Sequence, residues 1–199
     1  MILLVRVSVP LPAALDLGRL AFWAAITLAA AAFPVRLPGG VVVHTTTAPL
    51  IAAVFDPGLT NPFSVCWVAF LGTLELRDIR RELPWYGTLY NRSAYTLSAY
   101  AAWLAASAAG PAIRPGDPLG IIAQFALAGT AFHAVNLTLA VMVASRRTKT
   151  PVARVWMLSI SNVLTSLIGL VPLGWLMAEV ANRVGLWAAF LFMVPLHLA

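Results

Sequence analysis

Charged residues are scarce in this sequence. Only 10% of its 199 residues are Asp, Glu, Lys or Arg, whereas 61% are hydrophobic, and the mean hydropathy is +0.87. A water-soluble domain carries roughly a quarter of its residues as charged side chains. The composition therefore excludes an ordinary soluble domain and indicates an integral membrane protein. The apolar stretches are long rather than alternating, which favours a helix bundle over a barrel.

Cysteine and catalytic motifs are almost absent as well. The single cysteine, Cys66, rules out an intrachain disulfide and a cysteine-based metal site. The sequence contains no G-x-S-x-G motif, no P-loop and no dinucleotide-binding fingerprint. The histidines His44, His133 and His197 lack the spacing of metal ligands. We therefore expect no enzyme activity, no metal and no cofactor.

The charges that are present are mostly basic. The net charge is +6 and the isoelectric point is near 10.5. No separate basic domain is visible, so nucleic acid is not an expected partner. In a membrane protein, basic loops orient the chain and contact anionic lipid. The lipid bilayer is therefore the expected partner.

Seven apolar runs separated by polar breaks predict an all-α, polytopic bundle of six to seven transmembrane helices. The runs cover residues 17–35, 41–55, 63–76, 88–109, 119–144, 155–180 and 186–198. Prolines, glycines or arginines occupy the breaks between them. A span needs roughly 20 residues, so the short run 41–55 either spans or is re-entrant. We assign residues 17–199 to one transmembrane domain and residues 1–16 to a short apolar N-terminal segment.

The basic residues predict an orientation. Placing the loops after the first, third and fifth runs in the cytoplasm puts nine of the 13 basic residues there, in agreement with the positive-inside rule. The loops 77–92 and 146–154 are then cytoplasmic. The N-terminus would be external although no signal peptide precedes it. Two explanations stay open: residues 1–16 are the remnant of a preceding span, or the run 41–55 is re-entrant and the N-terminus is internal.

Arginines beside aromatic residues at the ends of apolar runs are typical of a cytoplasmic membrane interface. The loop 77–92 and the start of the loop 146–154 fit this description. The predicted interface anchors are Arg77, Arg80, Arg81, Trp85, Tyr86, Arg92, Arg146 and Arg147.

Polar side chains at membrane depth are candidates for a ligand site, because each costs free energy unless it is paired. His133 and Asn136 are three residues apart and so share one face of a helix. With Asn162, His44 and Asn91 they are predicted to line a small-molecule pocket in the cytoplasmic half of the bundle. The alternative is hydrogen bonding between helices, worth about 1 kcal/mol or less per bond. Both interpretations stay open.

Several segments carry a family resemblance that covers nearly the whole chain from about Asp16. The main ones are FPVRLPGGVVV (33–43), AAVFDPG (52–58) and LGTLELRDIRRELPWYGTLYNRSAYTLSAYAAWLAASAAG (71–110), and residues 132–147 and 162–199 fit as well. Their order resembles the N-terminal membrane region of bacterial HD-GYP and related cyclic di-GMP signalling proteins. The resemblance implies a membrane anchor and sensory module in the inner membrane of a bacterium, with a cytoplasmic signalling domain or a homodimer partner. The phosphodiesterase or cyclase domain of that family does not occur in this sequence.

A weaker similarity links residues 34–58 to the substrate-binding subunits of ECF-type vitamin importers. In those subunits a span begins with a Thr/Gln-rich turn and ends at a Gly-Pro turn. The predicted orientation argues against this alternative, because importer subunits would place the loop 77–92 outside. A non-catalytic membrane scaffold is the third candidate.

Overall fold

The described part of the chain is built from helices. The computed structural model describes residues 16–32, 35–36, 42–43, 45–74, 78, 80, 84–110 and 117–192. Their α-helices are α1 (Leu17–Ala32), α2 (Thr47–Val54), α3 (Pro62–Gly72), α4 (Trp85–Ala109), α5 (Pro118–Thr148) and α6 (Val152–Val184), and a 3₁₀ helix (Leu186–Phe192) follows. Two short strands, β1 (Val35–Arg36) and β2 (Val42–Val43), pair antiparallel, with Val35 opposite Val43. The predicted all-α class is confirmed.

The polar breaks in the sequence supply the helix caps. Asn61 accepts a hydrogen bond from the Phe63 amide at 2.9 Å, and Asp117 accepts one from the Leu119 amide at 3.1 Å. Each cap precedes a proline at the first helical position, where a missing N–H costs nothing. At the other end of α5, Lys149 adopts a left-handed conformation with φ of 53°, which ends the helix.

Consecutive helices run in opposite directions. The Thr45 hydroxyl donates to the Ala30 carbonyl at 3.3 Å, which places the start of α2 beside the end of α1. The Gln124 amide donates to the Ala106 carbonyl at 2.7 Å, so that α5 begins where α4 ends. We call the end at which α4 begins and α5 finishes the basic end, for its charges described below, and the other the opposite end.

Helix α2 occupies the centre of the bundle. All eight of its residues are buried, and it packs closely on α6. A Cβ atom added to Gly174 of α6 would lie 2.7 Å from the Ala48 carbonyl oxygen and 3.0 Å from the Ile51 Cβ atom. The two backbones can approach this closely because residue 174 has no side chain. Small residues are common at such contacts between membrane helices.

The helices fall into two length classes. Helices α1, α2 and α3 have 16, 8 and 11 residues, whereas α4, α5 and α6 have 25, 31 and 33. Of the described residues, α5 and the segment Val163–Val184 of α6 are long and apolar enough to cross a membrane. The apolar runs thus correspond to helices in the expected order, but a count of six to seven spans stays a prediction. The last run, 186–198, is a 3₁₀ helix as far as Phe192, and residues 193–199 lie outside the described part.

Candidate functional site

A groove opens between the first turns of α4 and the last turns of α5, at the basic end of the bundle. Its volume is about 700 Å³, which lies in the range of small-molecule sites. The residues that line this α4–α5 groove are Pro84, Tyr86, Gly87, Tyr90, Asn91, Ala140, Val143, Ala144, Arg147 and Thr148. The small side chains on α5 and the glycine on α4 leave the space between the two helices unfilled.

The groove is polar at its mouth and apolar along its floor. Arg147, Thr148 and Tyr86 are exposed, and Tyr86 keeps 57% of its surface accessible. Ala144 and Ala140 lie one and two turns deeper on α5, respectively, and offer only methyl groups. The arrangement therefore suits a ligand with one charged or polar end and one apolar part.

Charge is distributed unevenly between the two ends of the bundle. Among the residues whose side chains the structure describes, the basic end holds six basic groups and one carboxylate, whereas the opposite end holds two basic groups and four carboxylates. The basic end has Arg80, Arg92, Arg146, Arg147, Lys149 and Arg154 with Asp78, and the opposite end has Arg19 and Arg183 with Asp16, Asp56, Asp117 and Glu179. An anionic ligand is therefore favoured at the end that carries the α4–α5 groove.

The predicted ligand residues are only partly brought together. Asn91 lines the groove, and Asn136 lies one turn before Ala140 on α5, so that it continues the same helix face toward the bundle centre. His133 is buried elsewhere on α5, and its Nε2 atom has no hydrogen-bond partner within the described residues. The side chain of Asn162 and the whole of His44 lie outside the described part.

The predicted interface anchors mostly lie at the basic end. Arg80, Arg146 and Arg147 are exposed there, as are Trp85 and Tyr86. The residues Arg77 and Arg81 lie outside the described part.

Arg92 is turned into the bundle. Its Nε atom donates to the Phe70 carbonyl at 2.6 Å, and its guanidinium carbon lies 4.1 Å from the centre of the Phe70 ring. This arginine ties α4 to α3 through a hydrogen bond and a cation–π contact, a role that its position in an Arg-rich loop does not indicate.

Tyr90 holds the two walls of the groove together, because its hydroxyl donates to the Leu139 carbonyl at 2.6 Å. We expect Tyr90→Phe to lower the free energy of unfolding by about 1 kcal/mol, the usual net worth of one hydrogen bond. Thermal denaturation of the purified protein in detergent would measure the change. Tyr100→Phe is the control, since Tyr100 is exposed on the same helix. Equal effects of the two substitutions would contradict a specific role for the Tyr90 hydroxyl.

A second polar cluster, which the sequence analysis missed, lies at the opposite end. The buried Asp56 carboxylate accepts hydrogen bonds from Arg19 Nη1 at 2.5 Å, from Trp23 Nε1 at 2.6 Å and from the Gly58 amide at 2.7 Å. The only local signal is the Asp-Pro-Gly sequence, which indicates a turn. Arg19 precedes Asp56 by 37 residues, so no spacing rule connects them. The Asp56 carboxylate pairs with donors from within the fold, and we interpret the cluster as structural.

Metal binding finds no support in the described part of the chain, where no group of three or more His, Cys, Asp or Glu side chains could hold an ion. Comparison with known proteins adds no relative: no family model, no curated protein and no solved structure matches this chain. The functional argument therefore rests on the residues and geometry described above.

Proposed function

We propose that the chain is a multi-pass helical membrane module. The observation that supports this proposal is that α5 and α6 have apolar faces that point out of the bundle. Only 33% of the apolar stretch in α5 and 28% of that in α6 is buried inside the bundle. The core helix of a soluble protein would be mostly buried. Large apolar side chains such as Leu127, Met157 and Ile168 instead point outward, where hydrocarbon would cover them at no cost.

We propose further that the bundle contains six to seven membrane-embedded helices. The long helices α4, α5 and α6 would cross the bilayer, while the shorter α1, α2 and α3 would pack beside them within it. Helix α2 would then be embedded without being a complete span, because eight residues extend only about 12 Å at 1.5 Å per residue. Its complete burial supports this placement, since a helix end at membrane depth must be shielded by protein.

The orientation that we propose places the basic end in the bacterial cytoplasm. The excess of basic side chains at that end supports it, because cytoplasmic loops of inner-membrane proteins are enriched in Arg and Lys. The α4–α5 groove and the interface anchors would then face the cytoplasmic leaflet.

We propose that the module serves as the membrane anchor and sensor of a cyclic di-GMP-type signalling pathway. The resemblance of residues 33–43, 52–58 and 71–110 to the membrane region of such signalling proteins supports this assignment. The α4–α5 groove supplies a place where a ligand could act. Sensing would require the ligand to bind two arrangements of the bundle with different affinities.

Cysteine accessibility tests both embedding and orientation. In a Cys66→Ser background, we expect a membrane-impermeant maleimide to label Thr60→Cys in intact spheroplasts, because Thr60 is exposed in the turn at the opposite end. Lys149→Cys, exposed in the turn between α5 and α6, should react only after lysis.

The alternative outcomes of this experiment are distinct. Labelling of position 149 but not of position 60 in intact spheroplasts would contradict the orientation and favour the importer-subunit alternative. Recovery of the protein in the soluble fraction, with both positions labelled only after lysis, would contradict membrane embedding altogether.

A further inference from the structure

The α5–α6 hairpin carries an unbroken stretch without negative charge. No Asp or Glu occurs between Asp117 and Glu179, while Arg146, Arg147, Lys149 and Arg154 cluster around the turn of the hairpin. Arg147 alone of these four lines the α4–α5 groove. It forms no ion pair within the described part of the chain, so its guanidinium is available to an external anion.

The polar groups beside Arg147 are suited to an oxyanion. The Tyr86 side chain is exposed at the groove mouth and can donate through its hydroxyl. Asn91, deeper in the groove, adds an amide donor. An Arg guanidinium with neutral donors around it is a common way to bind a phosphate group.

The floor of the groove is apolar. Ala140, Val143 and Ala144 form this floor, which continues from Arg147 toward the middle of α5. A hydrocarbon chain packs on this surface without leaving a polar group unpaired. The occupant that matches both parts of the groove has an anionic head at Arg147 and a hydrocarbon tail along the alanines.

We propose that the α4–α5 groove binds one anionic glycerophospholipid, with its phosphate at Arg147 and an acyl chain along Ala140 and Ala144. The inference rests on the proposed membrane embedding and goes further, because it distinguishes one arginine from its basic neighbours. Basic pockets between membrane helices on the cytoplasmic side are known to take anionic headgroups. The lipid composition of the inner leaflet would thereby affect the packing of α4 on α5.

The test uses the full chain in a neutral detergent, titrated with phosphatidylglycerol and, in parallel, with phosphatidylcholine. Native mass spectrometry counts bound lipid, and thermal denaturation reports stabilisation. We expect one phosphatidylglycerol to bind and raise the melting temperature, and phosphatidylcholine to do neither. Arg147→Gln should weaken phosphatidylglycerol binding by about fivefold, the worth of one basic residue near an anionic headgroup.

Two matched controls distinguish binding in the groove from nonspecific effects of charge and of side-chain size. Arg154→Gln removes an exposed arginine of the same hairpin outside the groove, and should leave binding unchanged. Ala144→Trp should fill the groove and abolish binding, whereas Ala153→Trp adds the same bulk at an exposed position of α6 and should not. Retained binding in Ala144→Trp would overturn the proposal even if Arg147→Gln proved unstable.

Other outcomes would also overturn it. Equal losses in Arg147→Gln and Arg154→Gln would mean diffuse attraction without a site. Saturable binding of glycerol 3-phosphate, the soluble headgroup alone, would assign the groove to a free phosphate compound. Self-association that depends on protein concentration and not on lipid would assign it to a second copy of the chain. None of these results depends on the maleimide labelling, so failure here leaves membrane embedding and orientation separately testable.

Discussion

Replacing Asp56 by alanine is expected to lower the free energy of unfolding by about 2 to 4 kcal/mol, because it removes the acceptor of more than one buried hydrogen-bond donor. The Asp56 side chain is completely inaccessible, and it is the acceptor for Arg19, Trp23 and the Gly58 amide. Each buried donor left without a partner costs about 1 to 3 kcal/mol. Thermal and denaturant unfolding in detergent would measure the loss.

The contributions of charge and hydrogen bonding can be separated. Arg19 keeps 34% of its side chain exposed, so a guanidinium without Asp56 would still be hydrated. Most of the loss should therefore come from the indole N–H of Trp23, which is fully buried. Asp56→Asn keeps an acceptor for that donor and should cost clearly less than Asp56→Ala.

The control is a carboxylate at the same end that also pairs with an arginine. Glu179 contacts Arg183, but the Arg183 side chain is 78% exposed. Exposed pairs of this kind contribute about 0 to 1 kcal/mol, so Glu179→Gln should change stability little. If Glu179→Gln and Asp56→Ala were equally destabilising, the Asp56 cluster would not be the structural centre that we describe.

The second large effect is expected at the contact between α2 and α6. Gly174→Ala places a Cβ atom against the Ala48 carbonyl oxygen, and a backbone atom cannot rotate aside as a side chain can. Overpacking of this kind costs about 1 to 3 kcal/mol, and the rigid obstacle favours the upper part of that range. A lower melting temperature in detergent would report it.

Gly169 provides the matched control one and a half turns earlier on the same helix. A Cβ atom at Gly169 has no neighbour within 4 Å. Alanine is the better helix former by about 1 kcal/mol, so Gly169→Ala should leave stability unchanged or raise it. Destabilisation by Gly169→Ala as well would show that the effect of residue 174 arises from something other than the close approach to α2.

The sequence was informative wherever the signal was local. Proline and glycine clusters such as 56–62 marked the breaks between helices, and helix α5 begins at Pro118, one residue before the predicted run. Helix termini were less well predicted. The run 155–180 corresponds to α6, which extends further in both directions, from Val152 to Val184. Composition has no sharp boundary at a helix end, because the last turns are decided by packing and capping.

The candidate site was predictable only in part. Asn91 and Arg147 were singled out as polar or basic residues at the ends of apolar runs, but their convergence in one groove required the antiparallel packing of α4 on α5. Ala140 and Ala144 were not predicted to line a site, since an alanine in an apolar helix looks like any other. No local signal pairs the Tyr90 hydroxyl with the Leu139 carbonyl, 49 residues away. Conversely, His133 was predicted to line the pocket because of its residue type, although it does not line the groove.

By itself, the sequence determined the helical class, the order of the helices and the excess of basic residues that predicts an orientation, because each follows from composition or from neighbours along the chain. Only the tertiary structure decided which polar residues meet. It paired Arg19 with Asp56 and opened a groove beside Arg147. Such partners are far apart in sequence, and only the packing of helices against one another brings them within hydrogen-bonding distance.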